Sequence, residues 1–211
     1  MKRLAYFLIS FTLLVSCQSK VDKANKLIKE QFFKTLYDFQ SYQPIETIID
    51  SAYTSIYDDK NILNTYNHIV LYIDSINKCR EKIEEYRVAA EASKIYSGSW
   101  YATKKMQLEY LNDYNKYTNL FDEYTNMSEY YKLKSDELLK SLKKDVENFQ
   151  NEFEGWQAKH IFRCKSKSGD SQIANYIFVF NKEMSKIIRY DNIEGKDYYN
   201  LRKGINSFIF Q

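Results

Sequence analysis

The side chains with the most chemical potential are three cysteines, two histidines and a few acidic and aromatic clusters. Cys17 closes an apolar run near the N-terminus, where a thiolate is the strong nucleophile available to form a thioether. Cys79 lies on an apolar helical stripe and Cys164 on the Trp156 face of an alternating segment, so both are expected to point inward. Two states stay open for them. One is a Cys79–Cys164 disulfide stapling sheet to helix, as an oxidising compartment allows. The other is a pair of buried free thiols acting as small hydrophobes, since spacing alone does not supply disulfide geometry. His160 alternates with Phe162 and Cys164 and is expected to be a hydrogen-bonded core histidine; neither it nor His68 has zinc-site spacing. Glu84-Glu85 and Asp122-Glu123 are neighbours on helices, where adjacent residues do not face each other, so a solvated face is expected. No nucleophile–base pair, phosphate loop or cofactor motif occurs, so no catalytic residue, metal ligand or cofactor is expected. Trp156 with Arg163 is the candidate pair for a glycan or small ligand, and Tyr130-Tyr131 and Tyr198-Tyr199 are either core or stacking surface.

The N-terminus places Cys17 in context. Lys2 and Arg3 form a positive start, and residues 4–15 form an apolar stretch. About 12 residues is too short for a bilayer, which needs roughly 20, but suits a cleavable signal. Leu14-Val15-Ser16-Cys17 resembles a lipobox, the recognition site of lipoprotein signal peptidase. That resemblance implies cleavage after residue 16, diacylation of the Cys17 thiol and frequent acylation of the new amine. Two or three acyl chains anchor firmly where one binds marginally, so no transmembrane helix is expected after Cys17. Gln18-Ser19-Lys20 lacks both the Asp at 18 of inner-membrane sorting and the acidic cluster of surface export, which points to the periplasmic face of an outer membrane.

Charge and composition exclude other classes. Removing Lys2 and Arg3 takes two positive charges from the +3 of the whole chain and leaves +1. Nucleic-acid binding would need clustered basic charge, and the sequence makes no case for it. One proline, five glycines and 20 tyrosines disfavour disorder and a loop-rich fold.

The elements follow from periodicity. Residues 21–41 carry Ala24, Leu27, Ile28, Phe32, Leu36 and Phe39 at helical spacing, with Asp22 as a cap. Residues 45–57 are ambiguous and read as a short helix through Ile45, Ile48, Ile49, Ala52 and Ile56. A long helix begins at Asp58-Asp59, with a stripe from Ile62 through Ile69, Ile76 and Cys79 to Ala90, and breaks at Ser97-Gly98-Ser99. A second spans about 102–152. Two long stripes joined by a short break predict an antiparallel hairpin, with the first helix packed across it. After Gly155 the period becomes two. Residues 156–165, 173–180 and 185–191 are predicted strands of an antiparallel meander, the middle one apolar on both faces and therefore central.

Two stretches support a family resemblance. Ala24-Asn25-Lys26-Leu27-Ile28-Lys29-Glu30, running into Leu36-Tyr37-Asp38-Phe39, Ser41-Tyr42 and Pro44-Ile45-Glu46-Thr47, resembles the mature start of small uncharacterised Bacteroidales lipoproteins. Trp156, His160, Phe162-Arg163-Cys164-Lys165 and the Tyr176–Phe180 strand resemble their C-terminal piece. The resemblance covers about half the chain. It implies an address and a fold, and transfers no catalytic residue.

The resulting expectation is a mainly α protein of α+β class. It has a signal at 1–16, a helical region at 17–154, and a three-stranded β-meander subdomain at 155–211 packed on the helices. The expected function is a non-enzymatic, membrane-tethered protein-interaction module of the cell envelope, of which an immunity-type lipoprotein is one form. The alternative is a glycan- or small-ligand-binding lipoprotein.

Overall fold

The computed structural model of the protein describes residues 19–209. Cys17 and the expected signal lie outside the described residues. Four α-helices and one four-stranded antiparallel sheet make up the described chain, in the order α1 (Lys20–Thr35), a 3₁₀ turn (Phe39–Ser41), β1 (Gln43–Tyr53), α2 (Lys60–Ser97), α3 (Lys104–Glu147), β2 (Phe153–Lys165), β3 (Ser171–Asn181), β4 (Ile187–Asn192) and α4 (Lys196–Ile209). The α+β class and the antiparallel sheet agree with expectation; the strand count does not.

The extra strand is β1, read from sequence as a short helix. Its isoleucines fall at helical intervals, yet Pro44, Thr47 and the β-branched run favour extended backbone, and β2 offers a full-length partner. Thr47 sits opposite His160 and Ile49 opposite Ala158 on the core side, while Ile45 and Ile48 stay exposed. The sheet order is β1-β2-β3-β4, so β3 is a central strand as its two apolar faces predict.

Because β1 precedes the two long helices and pairs with β2 after them, those helices are an insertion between neighbouring strands. The described chain divides into one unit of residues 19–55 and 150–204, and a second of residues 56–149 and 205–209. This replaces the expected division at 154/155: the N-terminal helix and β1 belong with the sheet. The cut at Gly204/Ile205 falls inside α4.

In the first unit α1 covers the sheet, in place of its expected position across the hairpin. Ser19, not Asp22, is its N-cap. The Asp22 N–H donates to Ser19 Oγ at 3.1 Å and the Ser19 N–H donates to the Asp22 carboxylate at 3.2 Å, a reciprocal box. Ala24, Ile28 and Phe32 form the buried face. Phe32 reaches Phe162 at 4.5 Å, Phe178 at 5.3 Å, and Tyr42 and Tyr176 at 5.5 Å between ring centroids. Edge-on and tilted contacts of this kind add to the area term.

In the second unit α2 and α3 pair antiparallel. Asp59 caps α2 by accepting from the Asn61 and Ile62 N–H groups, and Thr103 caps α3. The base is aliphatic, built on Ile62, Ile69 and Leu142 with Val146 and Phe149 around them. Further along, tyrosines pair across the seam: Tyr72 with Tyr131 at 5.9 Å, Tyr86 with Tyr124 at 5.6 Å and Tyr96 with Tyr110 at 5.3 Å. Buried Cys79, Ala90 and Ser93 are small enough to accommodate them. No described helix is long and apolar enough to cross a membrane.

Candidate functional site

The turn between α2 and α3 is short and internally bonded. Ser99 N–H donates to Tyr96 O and Ala102 N–H to Ser99 O, both at 3.2 Å. Gln107 Nε2 reaches back to Ser99 O at 2.9 Å. The frame holds Trp100 and Tyr101 edge to face, 5.8 Å apart, with no core beneath them. Trp100 is 92% exposed and Tyr101 67%, and Ile95 and Leu108 on the adjoining turns are exposed as well. Lys94, Lys104 and Lys105 are exposed on the same stretch of chain. Exposed large apolar side chains held on an ordered turn near charged residues are the usual appearance of a binding surface. Hydrophobic periodicity does not single out these two aromatics. The available signal was their position: directly after a Gly-marked break, where a helical stripe cannot carry them inward.

The first unit holds a second feature, a polar chain beside a cleft. His160 is fully buried. Its Nε2 lies 2.9 Å from Tyr42 Oη and its Nδ1 2.9 Å from Thr47 Oγ1. Thr47 gives its one hydroxyl hydrogen to Asn25 Oδ1 at 2.7 Å. Its oxygen must therefore accept from Nδ1–H, which leaves Nε2 to accept from the Tyr42 hydroxyl. Burial pushes the His160 pKa down to about 4 and that of Tyr42 up to about 12. Both are neutral near pH 7, and both imidazole nitrogens are occupied. This is the hydrogen-bonded core histidine the alternation suggested. Its partners on β1 and at Tyr42 were hidden by the helical reading of 45–57. Asn25 and Tyr42 also line a surface cleft of about 440 Å³ with Lys29, Phe33, Phe39 and Pro44.

The remaining sequence candidates disperse. Trp156 lies on the helix-covered face of β2, where Lys20 Nζ stands 3.1 Å from its ring centroid and its indole N–H donates to Lys182 O. Arg163 is seven residues away on the opposite face, about 23 Å along the strand at 3.3 Å per residue, and is exposed. The two do not converge on one ligand. Cys79 is a buried free thiol of the helical unit and Cys164 one of the sheet unit; of the two states open for them, the structure has the free thiols. Glu84 and Glu85 pair with Arg87 and Lys82 on their own helix, and Asp122 and Glu123 are exposed, which is the solvated-face reading. His68 is exposed too. Tyr131 packs against Tyr72 while Tyr130 is exposed beside it. Arg202 lies over the Tyr198 ring, and Tyr199 is exposed. Among the described residues no group of three or more His, Cys, Asp or Glu could hold a metal ion.

Comparison of the chain with protein-family models, with curated proteins and with solved structures returns no match.

Proposed function

We propose that this chain is a non-enzymatic interaction module of a bacterial cell envelope, anchored through lipid on Cys17 and binding a protein partner with the tip of its helical hairpin. The observation that carries the binding half is Trp100, a large apolar side chain 92% exposed on a hydrogen-bonded turn next to Tyr101. Trp and Tyr dominate interface energetics because they bury much area with few rotamers to freeze. The exposed Lys94, Lys104 and Lys105 on the same stretch suit a partner with an apolar pocket and acidic groups beside it. The anchoring half rests on Lys2-Arg3, the apolar run and Leu14-Val15-Ser16-Cys17. The address, the periplasmic face of an outer membrane, rests on the residues after Cys17, and kinship with small Bacteroidales lipoproteins rests on the two stretches that resemble them. The glycan-binding alternative loses its support where Trp156 and Arg163 diverge.

The test is affinity capture of the lipidated protein from crosslinked envelope, with wild type beside Trp100→Ala/Tyr101→Ala. A reproducible partner recovered with wild type and reduced at least about tenfold with the double variant is expected, since removal of one hot-spot aromatic costs about 2 kcal/mol or more. Equal recovery would place the contact elsewhere. Pure vesicles that shield Trp100 without any protein would overturn the protein-partner reading. For the anchor, Cys17→Ala is expected to abolish palmitate labelling and leave the precursor uncut; labelling that persists would refute lipidation there.

A further inference from the structure

Helix α1, the first of the described residues, carries an exposed basic and aromatic face. Its buried side is Ala24, Ile28 and Phe32. One hundred degrees per residue then puts Phe33 and Lys26 on the opposite side, with Lys29 on the flank beside Phe33, and Phe33 is 71% exposed. The helix carries five lysines against two acids, in a chain whose net charge from Cys17 onward is +1. Lys26, Lys29 and Lys34 line one open cleft with Phe33 and Phe39, with Glu30 as the acid among them. The two phenyl rings meet edge to face at 5.3 Å, which steadies the exposed Phe33.

The start of this helix is fixed. Ser19 and Asp22 close a capping box, and Lys20 is held over Trp156. The described residues begin two positions after Cys17. Two residues of extended chain span at most about 7 Å, so a lipid on Cys17 would hold the helix start directly against the headgroups. We propose that the outward face of α1, with Lys26 and Lys29 beside Phe33, is a membrane-contact face that recognises anionic phospholipid headgroups. Lysines gain from the negative potential close to such a surface, and an aromatic ring among them inserts at the headgroup–acyl boundary. The helix then lies parallel to the membrane, which brings Phe33, about 21 Å beyond Ser19 along the axis, to the same depth. This inference rests on the anchoring reading for the short tether, and its test is independent of it.

The test uses the chain from Gln18 to Gln211, which keeps every described residue and carries no lipid. Co-flotation is measured with vesicles of phosphatidylcholine alone and with about a third phosphatidylglycerol, for wild type, Lys26→Glu/Lys29→Glu, Phe33→Ala and Trp100→Ala, each checked for an unchanged melt. The expected result is binding at least about tenfold higher with phosphatidylglycerol, weakened by salt, lost in Lys26→Glu/Lys29→Glu, reduced in Phe33→Ala and kept in Trp100→Ala. Equal recovery from both vesicles would overturn the proposal. So would anionic binding that survives Lys26→Glu/Lys29→Glu, or that vanishes with Trp100→Ala. Palmitate labelling at Cys17 is read separately, so failure of the contact face and failure of the anchor are told apart.

Discussion

His160 must break a hydrogen bond to take up a proton, because Nδ1–H already donates to Thr47 and Nε2 already accepts from Tyr42. Burial lowers its folded pKa from 6.5 to about 4, so across that window the unfolded chain binds a proton that the folded chain refuses. The stability it contributes is complete above pH 6.5 and is lost as the pH falls towards 4. One pKa unit corresponds to about 1.4 kcal/mol, which puts the loss at about 2 kcal/mol between pH 7 and pH 5. Urea unfolding at the two pH values is expected to show this slope in wild type and its absence in His160→Gln; equal slopes would contradict the account. Phe32 is the other decisive residue, 1% exposed among five rings. Phe32→Ala is expected to destabilise by about 3–5 kcal/mol in the same measurement. Both residues were legible in sequence, His160 from alternation and Phe32 from its stripe, because each obeys the period of its own element. Trp100 obeys no period, and periodicity therefore says nothing about it.

Elements of long, regular repeat were read closely. Helix α2 was expected to break at Ser97-Gly98-Ser99 and ends at Ser97. Helix α3 stops at Glu147, five residues short of expectation, because Phe153 leaves the apolar stripe to pair with Tyr53 in the sheet. Strand β1 was misread for a physical reason: its two faces are only half used, with Thr47 and Ile49 turned inward and Ile45 and Ile48 left to solvent, so apolar spacing and core spacing differ. Gly155 shows how tightly the strand edges fit. It has φ +155°, and a Cβ there would lie 2.1 Å from the Phe180 carbonyl oxygen. Gly155→Ala must displace backbone where β1, β2 and β3 meet. A loss of several kcal/mol is expected, seen as a lower thermal midpoint; an unchanged midpoint would contradict this geometry. By contrast, the ion pairs of Glu84, Glu85 and Glu137 on the hairpin are exposed, and their removal is expected to be nearly silent.

The two-unit organisation could not be read from the order of elements, since it depends on β1 pairing across an intervening stretch of about 100 residues. Local pattern carries no information about a partner so distant, and the change of hydrophobic period at Gly155 suggests a boundary that the sheet crosses. The sheet-and-helix unit is described from Ser19, and the inserted hairpin carries Trp100 and Tyr101 at the turn between helices about 57 and 66 Å long at 1.5 Å per residue. Under the proposed lipid anchor, tethering would confine such a tip to one surface and raise its effective concentration for a neighbour. Site-specific photocrosslinking in the intact envelope tests this most directly, with a photoreactive phenylalanine derivative at position 100 and, as a control, at exposed Lys132 on α3. The account predicts a protein adduct of discrete mass from position 100 that is absent from position 132. Identical patterns from the two positions, or no adduct from position 100, would contradict it.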